Sequence, residues 1–304
     1  MKFSLRRKVL PQAALASVLL CGTAHAQSVQ PAQSVKPERF NDIESKYLFG
    51  FVEGTDIGAE GERELELETT AGFQKRQGRY SALEQELAYE AVPSQFWSYE
   101  LSAHGLWQNI QGVQGFDDRS QATFGGLSVK PKWLIIGRGP GNPIGVSLSI
   151  QPEWGRIDGL TGEHATSFSA ETKLALDTEL IENRLFAAFN LSYAPEMALV
   201  AGEPAWEHAS GLGVSGGLAY RITPMLTLGG EVEYDMAYDG LGFNHYEGGA
   251  LYIGPSAHVQ INPKSMISLA WQTQVAGHEI GQPGLLALNG FERNRINVKA
   301  SYEF

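Results

Sequence analysis

The chain has 304 residues, a single cysteine, 23 Lys or Arg against 34 Asp or Glu, and a formal net charge of −11 at pH 7. That balance lacks the basic face nucleic acid requires, and one thiol, Cys21, supplies neither a disulfide framework nor a cysteine metal site. Beyond the leader no apolar run approaches the roughly 20 residues of a membrane-spanning helix, so entry into a membrane would take a closed barrel, the other structure that satisfies every backbone group in lipid.

Residues 1–26 read as a secretory signal peptide: Lys2, Arg6, Arg7 and Lys8, then the apolar stretch AALASVLLCG, then Ala24-His25-Ala26 as a small-x-small cleavage site, with cleavage near Ala26. Its removal takes away Cys21 and four basic residues but no acid, so the exported chain is more acidic still. Residues 27–62 are rich in Gln, Pro and Ser before they run through KYLFGF, and form an N-terminal segment that either hangs in the periplasm or plugs a lumen.

From 63 to 304 an alternation of period 2, which places one set of side chains on each face of a strand, recurs about twelve times. ELELETTAGFQK (64–75) sets Leu65, Leu67, Thr69, Ala71 and Phe73 against Glu64, Glu66 and Glu68, and 80–92 sets Leu83, Leu87, Tyr89 and Ala91 against Glu84, Glu86 and Glu90. PSQ turns into 96–110, which carries Trp97, Tyr99, Leu101 and Ala103 on its apolar face, and a less regular strand follows at about 122–135. GRGPGNP turns into 144–154, residues 157–164 are loop, and 166–180 leads through IEN to a strand from Leu185 to Tyr193. After a long connection at 195–207, Leu212 to Ile222 and Leu226 to Met236 mark a pair joined by TP. Strands at 248–261 and 266–276 flank NPKS, and a last long connection, 277–290, leads to INVKASYEF, whose alternation runs through Phe304. Connections that alternate short and long suit periplasmic turns and outer loops, whereas a soluble β-sandwich has no need of that rhythm. The expected fold is all-β, a single transmembrane antiparallel up-and-down β-barrel of about 12 strands over 63–304.

Charge at the bilayer midplane costs roughly 2–4 kcal/mol for Arg or Lys and less for Glu, so the acidic parity must face inward. The expected lumen-lining set is Glu66, Glu68, Glu84, Glu86, Glu90, Glu100, Glu231 and Glu233, with Glu153 and Glu171 of the same parity, against Lys173, Arg184, Arg221, Arg295 and Lys299. The plainer alternative is the paired, solvated interior of a barrel filled by side chains. Outward Pro131, Pro152, Pro195 and Pro255 remove ladder donors and suggest bulges or positions above the membrane. Trp97, Trp107, Trp133, Trp154 and Tyr302 suit aromatic girdles.

His208-Ala209-Ser210 has the His-x-Ser spacing of an outer-membrane esterase, with outward parity but no outward carboxylate on the neighbouring strand. Ser102-Ala103-His104 is similar and faces inward, and His164, His245, His258 and His278 stand singly, without metal-ligand spacing. No catalytic residue, metal site or cofactor is expected.

A signal peptide, alternating strands and a last strand ending Tyr302-x-Phe304 resemble Gram-negative outer-membrane β-barrels, whose C-terminal strand is the signal read by the barrel-insertion machinery. The opening YLFGFVEGTDIGAEGERELELE is similar to that of an uncharacterised family of such barrels, loosely like those linked to aromatic-degradation pathways. The resemblance implies the outer membrane as location, its lipid and the insertion machinery as partners, and no catalytic residue. The functional expectation is a passive channel or transporter for small solutes with an acidic, cation-favouring lumen. A structural or surface-interaction barrel with a closed lumen is the second reading, and a lipid esterase using His208 and Ser210 the third. Closure should set Arg295, Asn297 and Lys299 beside Glu64, Glu66 and Glu68 on antiparallel terminal strands.

Overall fold

The computed structural model describes residues 44–139 and 141–304, so the signal peptide and its cleavage site lie outside the described residues. After a single 3-10 turn at Ser45–Tyr47, twelve strands follow: β1 (Arg63–Phe73), β2 (Arg79–Ser94), β3 (Trp97–Gln111), β4 (Arg119–Ile136), β5 (Ile144–Ile157), β6 (His164–Ile181), β7 (Leu185–Val200), β8 (Glu207–Arg221), β9 (Leu226–Asp239), β10 (Tyr246–Asn262), β11 (Ser265–Glu279) and β12 (Asn294–Glu303). Each pairs antiparallel with its sequence neighbours and β12 pairs with β1, which closes the barrel and leaves no edge strand. Strands of 10 to 18 residues are long enough, tilted, to cross a bilayer. The even parity of β3 and β4, holding Ser98, Glu100, Ser102, His104, Ser128 and Lys132, faces in, while Leu101, Trp107, Leu127 and Trp133 stand exposed on the outside. Leu87, Leu218, Ile253 and Trp271 continue that apolar outer surface at about half exposure each. Alternation is satisfied by lipid outside and by polar pairing inside.

The β1–β12 seam sets Glu68 opposite Lys299 and Thr70 opposite Asn297. Lys299 Nζ lies 3.3 Å from Glu68, and Asn297 Nδ2 donates to the same carboxylate. The backbone N–H of Phe304 donates to the Arg63 carbonyl at 3.1 Å, so pairing runs to the last residue described. Arg295 departs from expectation. It faces Gly72, which offers no acid, so its guanidinium reaches across the lumen to Asp235 at 2.7 Å and lies over the Tyr252 ring.

The four prolines do not sit at bulges. Pro131 and Pro152 fall in one gap in the β4–β5 ladder, between the pairs Ser128–Glu153 and Lys132–Ser149, with the register unchanged across it. Pro195 and Pro255 fall in similar gaps on the β6 and β11 sides of their strands. A missing N–H is absorbed by locally unpaired backbone rather than by a bulge. Strands also outrun their expected ends: β7 continues through Pro195 to Val200, so the expected connection at 195–207 shrinks to 201–206. Of the loops on the rim opposite the barrel termini only 280–293 is long, and it folds inward, burying Ala287 and Phe291 against Ala250 and Tyr252.

Residues 44–57 run inside the barrel, and 58–62 lead out to β1 past Val92 of β2. Leu48, Phe49 and Val52 pack with Phe186, Ala188 and Ala219 of β7 and β8, a small apolar core enclosed by the wall. Two glycines permit that fit. A Cβ on Gly50 would stand 2.3 Å from the Ala270 Cβ, and one on Gly217 would stand 2.7 Å from the Phe49 ring.

Candidate functional site in the barrel lumen

The inner segment is held mainly by wall side chains that accept its backbone N–H groups. An extended or turning chain has no internal partners for its amides, and buried amides need them. Glu231 accepts from Gly50, Phe51 and Val52 at 2.8, 2.8 and 2.9 Å. Asn190 accepts from the N–H of Glu53 and donates to its carbonyl, both at 2.7 Å, and Asp177 accepts from Thr55 at 2.9 Å. Arg138, in the β4–β5 turn, clamps Asp56 at 2.6 Å and Asp177 at 2.9 Å.

Charge pairs complete the anchoring. Lys46 bridges Glu64 and Glu90 at 2.9 and 2.7 Å, with Tyr47 also donating to Glu64. Glu53 projects into a cage of lysines, with Lys132 at 2.8 Å, Lys173 at 3.5 Å and Lys130 at 3.7 Å. Burial alone would raise the Glu53 carboxyl, but these ammonium groups outweigh it and hold the carboxyl well below the usual carboxylate range. At the opposite rim Lys75 meets Glu292 at 2.8 Å. Burial there is likewise outweighed, and Lys75 and Arg295 hold Glu292 below its ordinary value.

Between the inner segment and the opposite rim lies a cavity of about 340 Å³. Gly50, Phe51 and Glu53 form one end, and Tyr80, Gly159 and Glu292 reach it from the other. Its wall carries eleven carboxylates against four Lys or Arg side chains. Of the residues expected to line the lumen, Glu68, Glu84, Glu86, Glu100, Glu233, Arg295 and Lys299 face this cavity. Glu66 and Glu90 border a smaller recess beneath it with Lys46, Lys130 and Lys132. Glu231 is spent on the inner segment, and Glu171 pairs with Lys173 at 2.8 Å. Arg184 and Arg221 sit at the rim that carries the barrel termini, donating to the carbonyls of Arg221 and Pro224.

Sequence reasoning missed Lys130 and Lys132. Their signal was present, since Pro131 and Trp133 face outward and their neighbours must then face inward, but the irregular pattern of β4 obscured it. The lumen is consequently divided: a lysine cluster grips Glu53 on the inner segment, and the carboxylate excess lies in the cavity beyond. One group there spans three strands. Glu84 (β2), His104 (β3) and Glu153 (β5) bring one candidate ligand atom each to within 4.8 Å of one another.

The His208–Ser210 pair has different surroundings from those an esterase needs. Ser210 is buried under the β9–β10 loop and its hydroxyl donates to the Gly240 carbonyl at 2.9 Å, whereas an activated serine donates to its base. Tyr302 is half exposed on the outer face and Phe304 lies 6.4 Å, ring to ring, from Tyr89.

The family of unknown function DUF6662 has a model that matches residues 41–304, inner segment and barrel together. The chain belongs to this family. No curated protein sequence matches it. Among solved structures it is similar to the COG4313 outer membrane channel from Pseudomonas putida F1, at 12% identity and a TM-score of 0.58, over 82% of this chain and 98% of that one. It is also similar to the KdgM porin in complex with disordered oligogalacturonate (10% identity, TM-score 0.46, 80% and 99% covered). A third likeness is to the translocator domain of the autotransporter NalP from Neisseria meningitidis (12%, 0.47, 82% and 91%). The first of these likenesses shows that this DUF6662 member shares the barrel fold of that outer membrane channel.

Proposed function

We propose that this barrel is a passive channel for small solutes whose lumen favours cations, with residues 44–57 as its plug. The observation that carries the reading is the cavity, about 340 Å³ inside a closed barrel, with eleven carboxylates against four Lys or Arg side chains. A narrow tube with low-dielectric walls focuses the field of such an excess and raises the local concentration of cations. The inner segment bounds the cavity at the end that carries the barrel termini, so passage requires it to move. From residue 44 to residue 57 its anchors are mainly side chains rather than ladder pairing, and they can be released without opening the wall. Tyr302 and Phe304 serve as the signal for the insertion machinery. Single-channel recording in a planar bilayer tests the proposal, with the reversal potential under a salt gradient expected to report cation preference. Anion preference would overturn the lumen assignment. Absence of conductance, both in the wild type and in a variant whose inner segment is released, would favour the structural barrel with a closed lumen.

A further inference from the structure

We propose that Glu84, His104 and Glu153 form a binding site for a divalent transition-metal ion of the zinc class, with His104 Nδ1 and one carboxylate oxygen from each glutamate as ligands. Zinc takes imidazole nitrogen and carboxylate oxygen at about 2.0–2.2 Å in tetrahedral geometry, so its ligand atoms lie roughly 3.3–3.6 Å from one another. Here the three atoms already lie within 4.8 Å, and His104 Nδ1 is 3.0 Å from Glu84 Oε1. Small side-chain rotations would complete the set.

The surroundings support ligation by Nδ1. His104 is 2% exposed and its other ring nitrogen, Nε2, lies 2.9 Å from Ser128 Oγ, which also accepts from Gln151 at 3.3 Å. Metal-binding histidines generally donate their second N–H to a fixed acceptor, which sets the tautomer and the ring orientation. The backbone brings the ligands together from separate strands. β4 carries an extra residue, Gly125, opposite the His104–Gly105 step, and at Gly126 it approaches β5 so closely that a Cβ would stand 2.1 Å from the Trp154 carbonyl. Bulges of this kind re-aim side chains beside sites.

A second observation points to a cation. Glu196 on β7 lines the same cavity, is 9% exposed, and its Oε2 has no hydrogen-bond partner. Through Ser169 it shares a cross-strand row with Glu153. The cavity that Glu84, His104 and Glu153 line therefore also carries a buried carboxylate oxygen with no partner among the described residues. A single imidazole with few oxygens suits a transition metal better than calcium, which takes six to eight oxygen ligands. The cavity side stays open for water in a remaining position. The inference stands apart from conductance: the site would hold its ion whether or not the barrel conducts.

The test uses tag-free, full-length exported protein in detergent, stripped with chelator and titrated calorimetrically with zinc chloride and, separately, with magnesium and calcium chloride. One zinc ion per barrel is expected, in preference to both alkaline-earth ions, and zinc-edge X-ray absorption should show one nitrogen with oxygens at about 2.0–2.2 Å. His104→Gln should weaken zinc at least about 100-fold, Ser128→Ala about 10–100-fold, in the range for loss of an orienting partner. Heat-dependent gel mobility reports whether each variant is folded. Should His104→Gln fail that check, Glu84→Gln at the cavity surface provides the reading, with at least about a 10-fold loss expected. Zinc binding by a folded variant equal to the wild type, or no stoichiometric binding by the wild type, would mean that His104 is an imidazolium held between glutamates and would overturn the site.

Discussion

Replacing Glu53 with Gln removes the charge on which Lys130, Lys132 and Lys173 converge, while keeping the side chain's size and an oxygen that Lys132 can still reach. Three buried or half-buried ammonium groups are then left close together without their carboxylate. Breaking a buried ion pair by removing one partner costs roughly 3–5 kcal/mol, most of it the cost of the uncompensated charge. Since the lysines retain Glu100 at 3.5 Å and Glu171 at 2.8 Å as alternative partners, the lower end, about 3 kcal/mol, is the better expectation. At 1.4 kcal/mol per tenfold change, docking of the inner segment should weaken by a factor of roughly 100–200. Hydrogen exchange of residues 47–57 should accelerate by that factor, and channel openings should become longer and more frequent in planar-bilayer records. Leu48, Phe49 and Val52 would stay in their apolar contacts during most of the cycle, so the barrel itself should keep its thermal stability. If Glu53→Gln leaves exchange of the segment within about threefold of the wild type and the conductance unaltered, the lysine cage does not hold the plug and the proposed gate is wrong.

Docking should also depend on acid. The folded-state value of Glu53 is depressed, so its contribution is fully present above the ordinary carboxylate value of about 4.3 and is lost as pH falls through the folded value; channel activity should rise at pH below about 4, and Glu53→Gln should flatten that profile. Gly217→Ala would place a methyl 2.7 Å from the Phe49 ring and should displace the segment at a cost of about 1–3 kcal/mol with no change of charge, read as faster exchange at 48–52. Lys299→Glu sets two acids together at the seam, where Lys299 now lies 3.3 Å from Glu68, and should slow assembly in a gel-shift folding assay. Glu68→Lys in the same chain should restore part of the rate, since a cross-strand pair is worth roughly 0.2–1 kcal/mol; no recovery would show that the seam does not depend on this pair.

Strand number, direction of each face and closure were legible in the residues because they depend on local rules. A period of 2 names two faces wherever it occurs, and the cost of charge in lipid decides which face is outside, so Leu65, Leu67 and Leu101 could be assigned outward and Glu66, Glu68 and Glu100 inward from their spacing. The Glu68–Lys299 seam followed from the same parity plus antiparallel closure. What spacing cannot express is how far a side chain reaches across the lumen and what already occupies it. Arg295 passes over Gly72 to Asp235, Glu231 turns its carboxylate to three amides of a segment about 180 residues earlier, and Glu84, His104 and Glu153 meet from three strands. KYLFGF read equally well as a free tail or as a plug, because its apolar side chains are compatible with either, and only the curvature of the closed wall provides Phe186, Ala188 and Ala219 as their partners. The alternation of each strand is a property of the chain; the pairing of charges inside the barrel is a property of its closure, which brings side chains face to face across distances in sequence that no local pattern spans.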